Sequence, residues 1–244
     1  MKNLYFVAHQ DDELNNTGVL LARETDEYYE DTYVILCTDG GGSGVINVLG
    51  NNESCWLHEG CHKYSLSRKE FSVARDREFY ESCSLLGVKD DNVIIHKDRG
   101  FDGSLSEEQA EFIIRDVMSL FPEKSDFRIR AVSPYFNGRQ NPDHKSIGIV
   151  CERLFNDGLF SELILVADSC FEGDCRKVFS EKEYSEEKAD DKAFVKIKAA
   201  ADCYGKWEPE NGRFSIGWHS VKGEFEEIVR NPVVVYEKLI KISE

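Results

Sequence analysis

The sequence predicts an α/β fold, a Rossmann-like three-layer sandwich with a mostly parallel central sheet. Three observations carry that prediction. Short apolar runs alternate with helix-periodic segments through the first two thirds of the chain. Those runs are apolar throughout, as strands are when helices cover both faces of their sheet. Polar clusters stand at their carboxyl ends, where such folds bind ligands.

The elements follow in order. "NLYFVAH" (3–9) is a first strand and "LNNTGVLLARE" (14–24) a helix by its apolar spacing. "DTYVILCTDGG" (31–41) is a second strand that closes on a glycine-rich loop. "RKEFSVARDREFYESCSLLGV" (68–88) is a long helix, with Gly87 just past its end as the residue best suited to a left-handed cap. "NVIIH" (92–96) is a third strand. "SEEQAEFIIRDVMSLF" (106–121) is a helix entered through Ser106 and an acidic first turn. "FRIRAVSP" (127–134), "HKSIGIVCERLF" (144–155) and "ELILVAD" (162–168) supply a fourth strand, a helix and a fifth strand. Beyond residue 170 the pattern loosens. A helix within 180–207 ends near Tyr204, and "RFSIGWHS" (213–220) reads as a strand or hairpin arm.

No linker, repeat or low-complexity tract divides the 244 residues, so a single domain, 1–244, is expected. Residues 1–168 form its core, and 169–244 form a C-terminal segment that packs on it and contributes one wall of the site. The net charge of −16, with no basic stripe, argues against nucleic acid and against anionic membranes as partners. The start, "MKNLYFVAHQDDE", lacks the apolar region of a secretory signal, and no apolar run approaches the ~20 residues of a membrane span. A cytoplasmic location is the expectation. Eight cysteines, at 37, 55, 61, 83, 151, 170, 175 and 203, are read as thiols, because a chain of this length needs no disulfide framework.

The chemistry gathers at three strand ends: "HQDDE" after the first, "TDGGGSG" after the second and "NGRQNPDH" after the fourth. His9, Asp11, Asp12 and His144 are ligand types for a divalent ion. Two imidazoles and one carboxylate leave an open position on tetrahedral zinc, the arrangement of catalytic sites. A cation there also relieves the repulsion between Asp11 and Asp12. Only one of these aspartates needs to ligate, and the other is then available as a general base toward an activated water. A first-turn charge preference and a turn at Pro142 account for each cluster separately. The coincidence of both on one sheet edge favours the metal.

These residues carry a resemblance. "AHQDDE" (8–13) resembles the AHPDDE signature of the PIG-L/LmbE-like N-deacetylases, and "NPDH" (141–144) resembles their HPDH. In the same order, "CTDGGGSG" (37–44) resembles the family's TDG loop, and "FDGSL" (101–105) its D-G turn. Arg75, Glu78, Ser82, Leu86 and Gly87 fit its R-x2-E-x3-small-x3-L-G helix. The match spans residues 3 to about 150 and is faint beyond.

The resemblance implies an LmbE-like fold and a zinc-dependent hydrolase (zinc or another divalent metal). Its substrate would be a small N-acyl amino sugar or glycoside of the N-acetylglucosamine type, from which it removes an acyl group, usually acetyl. It implies His9, Asp12 and His144 as metal ligands and Asp11 as general base. Asn141 and Asp143 complete the catalytic group, and Arg75 and Asp102 lie in the substrate pocket. A homo-oligomer is compatible with it. An amidase for a thiol conjugate or a longer acyl chain is the alternative on the same scaffold.

Two positions depart from the family pattern. Gln10 stands where the signature has proline, which removes a rigid turn but no chemistry. Asn141 replaces the first histidine of HPDH, which the family is thought to use on the tetrahedral intermediate or the leaving amine. An amide donates a hydrogen bond but supplies no proton, so a catalytically impaired sugar-binding homologue is a further reading. His219 in "GWHS" is a candidate substitute, weighed against a packed or surface histidine.

"CWLHEGCH" (55–62) concentrates Cys55, His58, Cys61 and His62, but Cys-x5-Cys matches no common zinc spacing. It reads as part of a substrate-covering loop, 41–67, with adventitious metal binding the lesser option. "DGGGSG" fails the dinucleotide and P-loop patterns. Lys196, Lys198 and Tyr204 read as a solvated helical face.

Overall fold

Strand β1 (Lys2–Val7) shows why its run is apolar throughout. Tyr5 and Val7 belong to the core on one side of the sheet, and Leu4, Phe6 and the following Ala8 to the core on the other. The computed structural model describes residues 1–50, 55–58, 60, 62–123, 125–135, 141–168 and 184–241. The strands are β2 (Thr32–Thr38), β3 (Val93–Gly100), β4 (Phe127–Val132), β5 (Glu162–Val166), β6 (Ser185–Lys188) and β9 (Val233–Ile240). They join β1 in a sheet of order β3-β2-β1-β4-β5-β9-β6. A separate small ribbon pairs β7 (Trp207–Glu208) with β8 (Arg213–Phe214).

The five strands from β3 to β5 are parallel, and β9 runs antiparallel to both β5 and β6. The order reverses between β1 and β4, which opens a crevice at their carboxyl ends. The lone polar strand, "SEEK" of β6, sits at the sheet's edge, where one side needs no apolar cover.

One face is covered by α2 (Gly18–Glu27), α4 (Arg68–Leu85), α7 (Asp191–Tyr204) and α8 (Ile216–Arg230), the other by α5 (Glu107–Ser119) and α6 (Pro142–Asn156). Serine caps begin two of them. Ser67 and Glu70 form a reciprocal capping box on α4, and Ser106 accepts from Gln109 N at the start of α5. Gly87 has φ +94 just past α4, as its sequence position predicted.

Four expectations are corrected. The helix read at 14–24 begins at Asp12 and breaks into α1 (Asp12–Asn15) and α2. A four-residue α1 directs little dipole at the strand end. The 41–67 stretch contains a short helix, α3 (Val45–Gly50). "RFSIGWHS" is a two-residue arm followed by the start of α8, which kinks at Val221. Tyr204 is fully buried with its hydroxyl on Glu13 Oε1 at 2.6 Å, while Lys196 and Lys198 pair with Asp26 and Asp202 away from the crevice. Cys37, Cys55, Cys83, Cys151 and Cys203 are free thiols; Cys61, Cys170 and Cys175 lie outside the described residues. No helix of the described residues is long and apolar enough to cross a membrane.

Candidate active site

The strand end at His9 closes on itself. The carboxylate of Asp12 turns back to accept the His9 backbone N–H at 2.8 Å, and its other oxygen accepts from Asn16 Nδ2 at 2.9 Å. That fixes Asp12 Oδ2 beside the His9 ring. From the far side of the switch point, α6 delivers His144 from its first turn. Three side-chain atoms then face one another. His9 Nδ1 lies 3.2 Å from His144 Nε2, His144 Nε2 lies 3.0 Å from Asp12 Oδ2, and His9 Nδ1 lies 3.4 Å from Asp12 Oδ2.

Bonds of about 2.0–2.2 Å to a tetrahedral ion place its N and O ligands roughly 3.3–3.5 Å apart, so the His9–Asp12 edge matches an edge of such a site and the other two edges are slightly shorter. Its tautomer fits too. His9 Nε2 faces the carboxylates of Asp143 at 3.1 Å and Asp102 at 3.3 Å, so it carries the proton and leaves the Nδ1 lone pair toward the centre.

The electrostatics also favour a cation. Arg75 pairs with Asp11 and Asp102, while Asp12, Asp143 and Asp168 stand against His9 or His144. Burial pulls His9 down, but hydrogen bonds to Asp102, Asp12 and Asp143 leave it well above its ordinary value. His144 is likewise lowered by burial yet raised by Asp12 to about 9 overall. Asp12 is disfavoured by burial, but the charge of His144 and hydrogen bonds from both imidazoles hold it well below the usual carboxylate range. The negative potential that stabilises both imidazolium forms would equally stabilise a divalent ion, whose binding releases the ring protons that face the centre.

Asp11 lines the same cavity as this triangle. Its Oδ2 accepts from Arg75 Nη2 at 3.2 Å, and its carboxyl is raised to about 6, chiefly by burial and by Asp12, against the pull of Arg75. Arg75 is itself buried and spends its other N–H groups on the carbonyls of Gln10 and Gly40. Gly40 has φ +63, and a side chain there would meet the Gln10 and Arg75 side chains, so only glycine admits this packing. The motif on α4 thus reads as one stripe at helical spacing. Arg75 holds Asp11, Glu78 accepts the Ile216 and Gly217 N–H groups at the start of α8, and Ser82 donates to Glu13.

Asp143 is fully buried. It accepts from His9, from Gly103 N at 2.7 Å and from Leu105 N at 2.9 Å. Asp102 contacts His9 and Arg75 and accepts from Gly42 N at 3.0 Å. Asn141 caps α6, its Oδ1 accepting from Asp143 N at 2.9 Å and His144 N at 3.4 Å. Gln10, at the proline position, is buried and donates from Nε2 to Asp76 at 2.8 Å, which anchors the strand end to α4.

These groups open onto a cavity of about 300 Å³, whose walls include Asp11, Arg75, Asp102, Asn141 and both candidate ligand histidines. All the site residues expected from sequence except Asp143 therefore line one cleft, and Asp143 stands behind His9. Sequence reasoning missed Asp168 and Glu224. Asp168 Oδ2 stands 3.7 Å from His144 Nδ1, while Glu224 enters from α8 with Ser220 and Val221. The one signal for Asp168 was a carboxylate at the end of the fifth apolar run. His219 does not reach this cleft; it turns toward Cys55, with Nε2 3.1 Å from its sulfur. Burial lowers it to about 4, unsuited to donating a proton at neutral pH.

The PIG-L family model, described as GlcNAc-PI de-N-acetylase, matches residues 4–154. Among solved structures, N,N'-diacetylchitobiose deacetylase from Pyrococcus horikoshii is similar with a TM-score of 0.60 and 18% identity, covering 98% of this chain and 84% of that one. A deacetylase of the teicoplanin biosynthetic pathway has a TM-score of 0.64 at 12% identity, covering 100% of each chain. The 4-carboxy-2-hydroxymuconate hydratase from Pseudomonas putida has a TM-score of 0.58 at 14% identity, covering 100% of this chain and 99% of that one. At these identities the structural likeness speaks to fold alone. A search of curated proteins finds no significant match.

Proposed function

Because the chain belongs to the PIG-L family of N-deacetylases, we propose that it is a metal-dependent hydrolase that removes an acyl group, acetyl foremost, from an amino sugar or its glycoside. The observation that carries this reading is the His9–Asp12–His144 triangle with buried Asp11 beside it at the sheet's switch point.

His9, Asp12 and His144 would hold the ion, with zinc favoured by two imidazoles and one carboxylate. When bound, it supplies Lewis acidity toward the amide carbonyl and toward water. Asp11 takes a proton from the attacking water as the water oxygen bonds to the carbonyl carbon. Asp11 returns that proton to the leaving nitrogen as the C–N bond breaks, giving the carboxylic acid and the amine, which settle as carboxylate and ammonium once the acid's proton passes to the amine. Arg75 orients Asp11 and keeps it from titrating still higher. Asp143 and Asp102 set the tautomer and angle of His9. Asn141 offers an amide N–H but no proton, which places the whole proton inventory on Asp11.

A cavity near 300 Å³ is at the small end of ligand sites, so it takes one sugar ring or acyl-amide unit while any aglycone remains outside. The test is amine release from a panel of N-acetylglucosamine glycosides, longer N-acyl analogues and thiol-conjugate amides. Activity should vanish on metal removal, return with zinc, and fall about 10²–10⁴-fold in Asp11→Asn. Binding of the sugars without any release by zinc-loaded protein would identify the impaired homologue instead.

A further inference from the structure

We propose a second divalent-metal site, chemically unlike the first, formed by Cys55, His58, His62 and His219, with zinc as its resident ion. It does not depend on the functional reading above. Cys55, His58 and His62 lie in the chain between α3 and α4, and His219 lies on the first turn of α8. One ligand atom from each falls within 4.8 Å of every other. Cys55 Sγ stands 3.6 Å from His58 Nδ1 and 3.1 Å from His219 Nε2, and His58 Nδ1 stands 3.4 Å from His62 Nε2. Zinc bonds of ~2.0–2.1 Å to nitrogen and ~2.3 Å to sulfur put tetrahedral neighbours at ~3.4 Å for N–N pairs and ~3.6 Å for N–S pairs. Two of the three spacings meet those values, and the third is shorter.

The hydrogen bonds around the cluster are those of ligands already turned inward. His219 Nδ1 lies 2.7 Å from the Ser215 carbonyl, which only accepts, so the ring proton is on Nδ1 and the lone pair is on Nε2, facing the sulfur. The Leu57 backbone N–H donates to Cys55 Sγ at 3.3 Å, as suits a thiolate. Trp207 packs over the His58 and His62 rings at 4.2 and 4.4 Å, and Cys55, His62 and His219 are buried.

Four protein ligands leave no open position, which makes this a structural site. It would clasp the loop ahead of α4 to the helix whose Ser220 and Glu224 line the cleft. The sequence hid it because the spacing sought was Cys-x5-Cys, while the set is Cys-x2-His-x3-His plus a histidine 157 positions beyond His62.

The test is titration of metal-free protein with Co²⁺. The catalytic set has no sulfur, so a thiolate-to-cobalt charge-transfer band with tetrahedral d–d absorption reports the second site alone. The band should appear in wild type, persist in Asp12→Ala and be absent in Cys55→Ser. Zinc stoichiometry in the Asp12→Ala background should drop from one equivalent to none on adding Cys55→Ser. Should that variant fail to fold, His58→Ala, on a half-buried ring, should still lose the equivalent with unchanged circular dichroism. A wild type without the band, or a band untouched by Cys55→Ser, would overturn the proposal whatever the outcome at Asp12.

Discussion

Asp143 is the residue on which the candidate active site leans most without opening onto it. Its oxygens hold His9 and two backbone N–H groups of the 103–105 turn. Asp143→Asn should therefore weaken metal binding at the first site about 10–100-fold, measured by chelator competition; unchanged affinity would show that His9 needs no such support. Glu78 is one of the buried carboxyls that make stability depend on pH. Burial raises it to about 7, against the opposing pull of the Ile216 and Gly217 N–H groups and Arg75. The folded chain then keeps a proton that the unfolded chain, at about 4.5, has released. Stability from this group is full below pH ~4.5 and is lost as pH rises through ~7, on the order of 3 kcal/mol. Unfolding free energies of wild type and Glu78→Gln, compared from pH 4.5 to 8, should diverge by up to that amount, with wild type losing ground; a pH-independent difference would refute it. At this scale strand ends and local spacing marked His9, Asp11, Asp12 and His144 as ligand types, and the family resemblance chose Asp12 over Asp11. Asp168 and Glu224 were not, since nothing near them in the chain says what they face.

At the scale of elements, Asn141 answers for a helix end as well as for chemistry. Its Oδ1 satisfies N–H groups at the start of α6, the helix that carries His144. Asn141→Ala should cost about 1 kcal/mol in denaturant unfolding, and Asn141→His, though it restores an acid, should forfeit the same cap. A variant as stable as wild type would remove that role. The start of α8 teaches the opposite lesson. Phe214, Ile216 and Trp218 alternate like a strand, and no side chain of its own caps this helix. The cap comes from Glu78, on another helix, and a partner so distant leaves no local trace.

For the whole molecule, the five parallel strands were readable because burial on both faces writes one composition, and the order of β-α-β units then places their carboxyl ends together, whereas polar β6 and alternating β9 were not read. The interior also contains a charge. Arg130 on β4 is buried and bonds Glu24 at 2.7 Å and Glu162 at 3.0 Å, linking α2 to β5 through the sheet. Arg130→Met should destabilise by about 3–5 kcal/mol, because it strands the Glu24 carboxylate inside, whereas Glu162 keeps Lys238 at 3.0 Å; a loss under ~1 kcal/mol in denaturant unfolding would contradict this. By itself the sequence determined the fold class and the strand ends that bear the polar clusters, and its family resemblance named His9, Asp12 and His144 as candidate ligands; all of these depend on neighbours in the chain. Only the tertiary structure decided that Asp143 supports His9, that Ser220, Val221 and Glu224 are the residues of the C-terminal wall, and that His219 joins Cys55, His58 and His62. Those facts depend on which distant surfaces meet, and local periodicity carries no record of that.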